Sequence, residues 1–165
     1  MKKKLLIAIL VLTVVLVGVL AGCKTKLTTK DFYDIASYTT SSSQTRSVSV
    51  TVKQGETLIY SNVDGEVQDP YNIGFGNAIS QEVGNGLKFE KSYFESEVVV
   101  NGSTTSKYTA NIVDTDAFLG VNDAQNATIE VVVNTEAKTL ASTTIKYDVV
   151  KSSGTYAVEI AVKVG

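Results

Sequence analysis

Residues 152–164 read Ser-Ser-Gly-Thr-Tyr-Ala-Val-Glu-Ile-Ala-Val-Lys-Val. Tyr156, Val158, Ile160, Val162 and Val164 recur at a spacing of two, with Ala157, Glu159, Ala161 and Lys163 between them. A helix would scatter these five apolar residues around its circumference, whereas a strand puts them on one face. Ser152-Ser153-Gly154 turns the chain into this run. Before the turn, Ile145, Tyr147 and Val149 face inward and Lys146 and Asp148 outward, so the two runs predict an antiparallel pair with one buried face.

The same period extends toward the N-terminus. Ile129, Val131 and Val133 form another face, followed by the connection Asn134 to Lys138. Val98 to Val100, the turn signal Asn101-Gly102, and the alternation of Tyr108, Ala110 and Ile112 predict a hairpin. Val48, Val50 and Val52 predict a strand, and Thr57 to Ser61 a second one running toward Asp64-Gly65.

Two segments depart from period two. Thr28-Thr29-Lys30-Asp31 has the form of a capping box, and Phe32, Ile35 and Ala36 follow at helical spacing. A short amphipathic helix is expected over 29–38, ended by the Ser/Thr-rich loop 39–47. Residues 68–96 are irregular and hold the only proline, Pro70, with Gly74, Gly76, Gly84 and Gly86 and the aromatics Tyr71, Phe75, Phe89, Tyr93 and Phe94. A short helix could form around 77–83, and the whole segment is expected to cover the open side of the sheet. The fold class is therefore α+β, mostly β: a curved, half-barrel-like antiparallel sheet packed on a short N-terminal helix, in one domain over 29–165.

The first residues obey different rules. Lys2, Lys3 and Lys4 precede an uncharged run from Leu5 to Leu20, then Ala21, Gly22 and Cys23. This order of basic head, apolar middle and small residues is that of a secretory signal peptide. Leu20-Ala21-Gly22-Cys23 resembles the lipobox of bacterial lipoprotein precursors. The resemblance implies that Leu20, Ala21 and Gly22 are read by the signal peptidase, that 1–22 is removed, and that Cys23 carries a covalent diacylglycerol. Residues 23–28 then become a lipid-anchored tether at the extracytoplasmic face of the cell membrane. The alternative is an uncleaved anchor. The run from Leu5 to Leu20 reaches only about 24 Å as a helix against a hydrocarbon core of roughly 30 Å, although extension to Cys23 nearly closes the gap. A lone thiol directly after Leu-Ala-Gly favours the lipoprotein.

The run Val131-Val132-Val133-Asn134-Thr135-Glu136-Ala137-Lys138-Thr139-Leu140, leading to Thr144-Ile145-Lys146-Tyr147, resembles the late hairpin of the lipoprotein-carrier superfamily. That superfamily includes the bacterial lipoprotein chaperone and mycobacterial glycolipid-carrying lipoproteins. Spread over residues 28–165, the resemblance implies a half-open sheet wrapped around helices and an apolar cavity for acyl chains, in a chain shorter than typical members.

Composition excludes more chemistry than the motifs suggest. The 165 residues contain no histidine, which removes imidazole triads and histidine metal sites, and one cysteine, which removes intramolecular disulfides and thiolate clusters. Fifteen basic against 17 acidic side chains make nucleic acid an improbable partner. Loss of Lys2, Lys3 and Lys4 would move the net charge from −2 to −5, leaving attachment to the lipid rather than to the domain surface.

Gly74-Phe75-Gly76 lacks the rest of a phosphate loop and reads as a turn. Asp114, Asp116, Asn122 and Asp123 offer oxygens within ten residues, but Gly120 and Gln125 miss the EF-hand positions. Asp116 is expected instead to cap a one-turn helix through Phe118 and Leu119. Glu95 and Glu97 would share one face of a strand, as would Asp64 and Glu66, and solvated surface charge is the expectation for both pairs. Thr143 and Lys146, three apart, fall on opposite faces and cannot form a dyad.

The sequence thus predicts a non-enzymatic binding module for an apolar or amphiphilic, lipid-like ligand, with Tyr71, Phe75, Phe89, Tyr93 and Phe94 as the candidate pocket. Because Tyr93 and Phe94 are adjacent, at most one of them is expected to line it. No metal and no cofactor beyond the diacylglycerol is expected, and no feature sets an oligomeric state. The alternatives are a surface interaction lipoprotein with a filled core and, less favoured, a carboxylate-dependent glycan hydrolase.

Overall fold

The structure, a computed structural model, describes residues 26–37, 45–63, 69–76 and 87–165. The leader, Cys23, the Asp64-Gly65 turn, Glu66 and the segment 77–83 lie outside the described residues. Among the described residues no helix is long and apolar enough to cross a membrane.

Seven strands form one antiparallel sheet: β1 (Arg46–Gln54), β2 (Thr57–Val63), β3 (Phe94–Val100), β4 (Thr105–Ile112), β5 (Ala124–Asn134), β6 (Thr139–Lys151) and β7 (Gly154–Val164). Their spatial order is β2-β1-β7-β6-β5-β4-β3, so the sheet stays open and β2 and β3 are its edges. Among the described residues two short α-helices accompany it, α1 (Thr29–Ala36) and α2 (Thr115–Leu119). The expected mostly-β fold, a curved antiparallel sheet against a short N-terminal helix, is the one observed.

Register explains why one face is greasy. Tyr108 pairs with Val131, Val131 with Thr143, Thr143 with Val162, and Val162 with Val48. Two residues along, Ala110, Ile129, Ile145, Ile160 and Val50 align in the same way. These rows form the covered face, where a side chain such as Ile145 or Val131 contributes about 1.5–3 kcal/mol by leaving water. The intervening row, Thr109-Glu130-Thr144-Ala161-Ser49, looks outward and is polar. Thr143 is accordingly buried and Lys146 exposed, on opposite faces as their spacing requires.

Helix α1 starts as its sequence predicts. The Asp31 amide donates to Thr28 Oγ1 at 3.3 Å, and the Thr28 amide donates to Asp31 Oδ2 at 2.7 Å. The Thr28 hydroxyl beside Asp31 lowers the carboxyl below its ordinary value. Phe32 and Ala36 are buried against the sheet. The helix ends at Ala36 rather than at residue 38, because Ser37 turns extended and its hydroxyl accepts the Phe89 amide at 3.0 Å. That bond ties the covering segment to the helix end.

Two local expectations are corrected. Helix α2 is capped by Asp114, whose Oδ1 accepts the Ala117 amide at 2.9 Å, and Asp116 sits in its first turn. The cap moves two residues upstream because the helix already begins at Thr115, and Gly120 ends it in the left-handed conformation. The hairpin after Val100 uses the four residues Asn101–Thr104, not a two-residue turn.

Candidate functional site: a bulged edge strand over an aromatic core

Edge strand β3 breaks its own alternation. Glu95 pairs with Asn111 and Val98 with Thr109, which leaves two residues, Ser96 and Glu97, opposite the single Ala110. Ser96 takes a left-handed conformation (φ 54°), as a bulge of this kind requires of one residue. From here on the faces are exchanged. Glu95 is exposed while Glu97 turns under the sheet, so the expected same-face pair of carboxylates does not exist. Val99 follows it inward, opposite Tyr108, and Val98 and Val100 are thrown onto the open face at 53% and 59% exposure.

A carboxylate turned toward a core must be solvated by protein groups. Tyr33 of α1 donates its hydroxyl to Glu97 Oε2 at 2.6 Å, and Tyr108 of β4 donates to the same oxygen at 3.1 Å. Burial, helped by the Glu97 carboxylate, pushes the Tyr33 phenol up to about 12. The Tyr108 phenol is raised further, again mainly by burial. Both tyrosines therefore remain protonated donors across the physiological range, and Glu97 fastens helix to edge strand.

Around this carboxylate the aromatic rings interlock. Phe94 lies 5.0 Å from Phe118, 5.4 Å from Phe89, 5.9 Å from Tyr33 and 6.2 Å from Tyr108, centroid to centroid. Phe32 stacks on Tyr108 at 5.7 Å. Such separations are those of attractive edge and offset packing. The rings occupy the volume between α1, α2 and the β3–β5 side of the sheet.

The five candidate pocket residues do not form one group. Phe89, Tyr93 and Phe94 belong to the cluster just described. Phe75 is buried against Tyr60 at 5.2 Å, and Tyr71, 37% exposed, lies over Tyr156 at 5.6 Å. The expectation that Tyr93 and Phe94 point apart is also overturned. Tyr93 sits in a single 3-10 turn, Lys91–Tyr93, so strand alternation does not apply, and both rings contact Phe118.

On the open face two shallow grooves of about 390 and 450 Å³ cross the strands. Their walls carry Thr109, Thr128 and Glu130 in one and Lys53, Asn126 and Asp148 in the other, with Lys146 and Glu159 shared. A 3.0 Å ion pair joins Lys146 to Glu159. Both grooves are open to solvent, unlike the enclosed aliphatic chamber that an acyl chain requires. Among the described residues no three His, Cys, Asp or Glu side chains gather as a metal site would need.

Spacing linked Glu97 only to Glu95 and did not bring out Tyr33 or Tyr108 as its partners. In the run Phe94-Glu-Ser-Glu-Val-Val-Val100, strict alternation from Phe94 would place Val98 and Val100 inward and both glutamates outward, so residue order gave no signal of the bulge. The candidate site is thus an edge strand with two exposed valines and a packed interior behind it. No family model, curated protein or solved structure matches the chain.

Proposed function

We propose that the protein is a lipid-anchored extracytoplasmic interaction module that binds an extended segment of another protein along edge strand β3. The observation that carries this reading is the exposure of Val98 and Val100 on an unpaired strand edge. An open edge offers a row of backbone donors and acceptors, and apolar side chains beside it supply specificity pockets. The other edge, β2, also exposes Leu58 and Val63, but β3 is stiffened from behind by the Glu97 clasp and the ring cluster. A rigid template loses little entropy when a partner strand docks.

The lipid-carrier alternative asks the same interior to hold an acyl chain. What favours the interaction module is that Phe89, Tyr93 and Phe94 already have ring partners within 6.3 Å, so a ligand would have to part them. Anchoring through Cys23 rests on the lipobox and explains why the only thiol stands where it does.

A photo-crosslinking residue at position 100 tests the reading in cells. Adducts of defined mass are expected there, none at Thr144 on the open face, and none after Val98→Lys. Native mass spectrometry of the gently released protein should give the polypeptide with its own anchor alone. A further co-purifying lipid, or equal crosslinking at 100 and 144, would overturn it in favour of a carrier.

A further inference from the structure

The folded domain begins at one particular corner of the sheet. Leu27 is buried, and both of its backbone polar groups are taken by one side chain: its amide donates to Asn101 Oδ1 at 2.8 Å and its carbonyl accepts from Asn101 Nδ2 at 3.0 Å. Asn101 is held in turn, because the buried Ser106 hydroxyl donates to its Oδ1 at 3.2 Å and lies 2.9 Å from Thr135 Oγ1. The Thr135 amide donates to Thr104 O at 2.9 Å, linking the β3–β4 and β5–β6 hairpins. Leu27 is thus clamped to the end of the sheet where these two hairpins turn.

Cys23 is four residues from Leu27, a covalent reach of at most about 14 Å. If the acyl chains on Cys23 sit in a bilayer, Leu27 and the hairpin end are confined to that distance from the headgroups. The opposite end of the sheet, with the Gly55-Glu56 turn, α2 and Ser152-Ser153, is separated by the length of the strands. Thirteen-residue β6 spans roughly 40 Å at about 3.3 Å per residue. A four-residue tether keeps the hairpin end at the bilayer in every orientation, and the far end stands clear of it when the strands are upright. Charge is mixed at both ends, with Glu56, Asp114, Asp116 and Asp123 beside Lys53 and Lys151 at the far end and Lys26 and Lys138 beside Asp31 and Glu136 at the near end, so the tether rather than charge sets the polarity.

We propose that Asn101–Thr104 and Thr135–Lys138 form a membrane-facing surface that rests on phospholipid headgroups and holds the strands upright on the bilayer. The polar, neutral tips Asn101, Gly102, Ser103 and Thr104 suit hydrogen bonding to headgroup oxygens. This orientation rests on the anchoring reading above and deepens it: Val100, next to Asn101, is held close to the bilayer, so a strand docking on β3 belongs to a partner that is itself at the membrane surface.

The chain contains no tryptophan, so a single introduced indole is a clean reporter. Ser103→Trp and Ser152→Trp, both at exposed positions, are made in the full acylated chain. Each is placed in phosphatidylglycerol–phosphatidylcholine vesicles carrying a dansyl-headgroup lipid. Energy transfer from position 103 is expected to exceed that from 152 several-fold, and Asn101→Ala, which releases Leu27, should shrink the ratio toward one. Equal or reversed transfer in protein that floats with the vesicles overturns the orientation alone. Failure to float overturns the anchoring and the orientation with it.

Discussion

Two faces of one sheet, a single residue apart in register, behave as different materials. The covered row Tyr108-Val131-Thr143-Val162-Val48 is packed against rings and helix, while the adjacent row Thr109-Glu130-Thr144-Ala161-Ser49 meets water. Nothing in the backbone distinguishes them, since every strand contributes alternately to both. The difference lies in what each face must do: one excludes water and specifies the register, and the other keeps the sheet soluble. Strand β3 exchanges its faces at the bulge, sending a carboxylate inward and two valines outward.

The contrast can be broken most violently on the covered side. Phe94→Ala removes the ring at the centre of the cluster and should cost about 3–5 kcal/mol, read as a lowered midpoint in urea unfolding. Next comes the clasp. Glu97→Ala leaves the buried Tyr108 and the partly buried Tyr33 hydroxyls without their acceptor, and a loss of about 1–3 kcal/mol is expected, with Glu97→Gln retaining part of the stability because its carbonyl still accepts.

Titration sharpens the same comparison without a mutation. An unfolded tyrosine ionises near its ordinary value of 10, whereas folded Tyr33 holds its proton to about 12. Its contribution is complete below about pH 10 and is lost as pH rises through 12, because in that window the unfolded chain binds fewer protons. Stability should therefore fall between pH 10 and 12, and Tyr33→Phe should flatten that slope. At the hairpin tip, a side chain at Gly102 would collide with the Thr105 carbonyl, so Gly102→Ala should destabilise by about 1 kcal/mol. On the open face Thr144→Ala should change stability by less than about 0.5 kcal/mol, and a larger loss would mean that this face is not simply wet.

Much of this architecture is legible in residue order. Period two in Tyr156–Val164 and Ile145–Val149 assigns inward and outward sides, because alternation is a property of one strand alone. The capping box at Thr28 is equally local, its partners lying within three residues. The bulge was not legible, since two residues opposing one is a relation between β3 and β4 and has no meaning in either alone. The inward turn of Glu97 follows from that, whereas the Tyr93–Phe94 pair escapes strand alternation because Tyr93 sits in a 3-10 turn, and the five aromatics divide over three packing groups through contacts with distant segments.

What the sequence by itself determined, then, is the pleated layer, its greasy side and the helix laid beneath it, all consequences of periodicity and capping that each segment carries within itself. Which carboxylate would be swallowed, which valines would be left at an open edge, and which corner of the sheet would grip Leu27 were decided only when distant strands met. Those choices depend on hydrogen-bond register and on contacts 64 and 74 residues apart along the chain, and such distances are closed only by the fold.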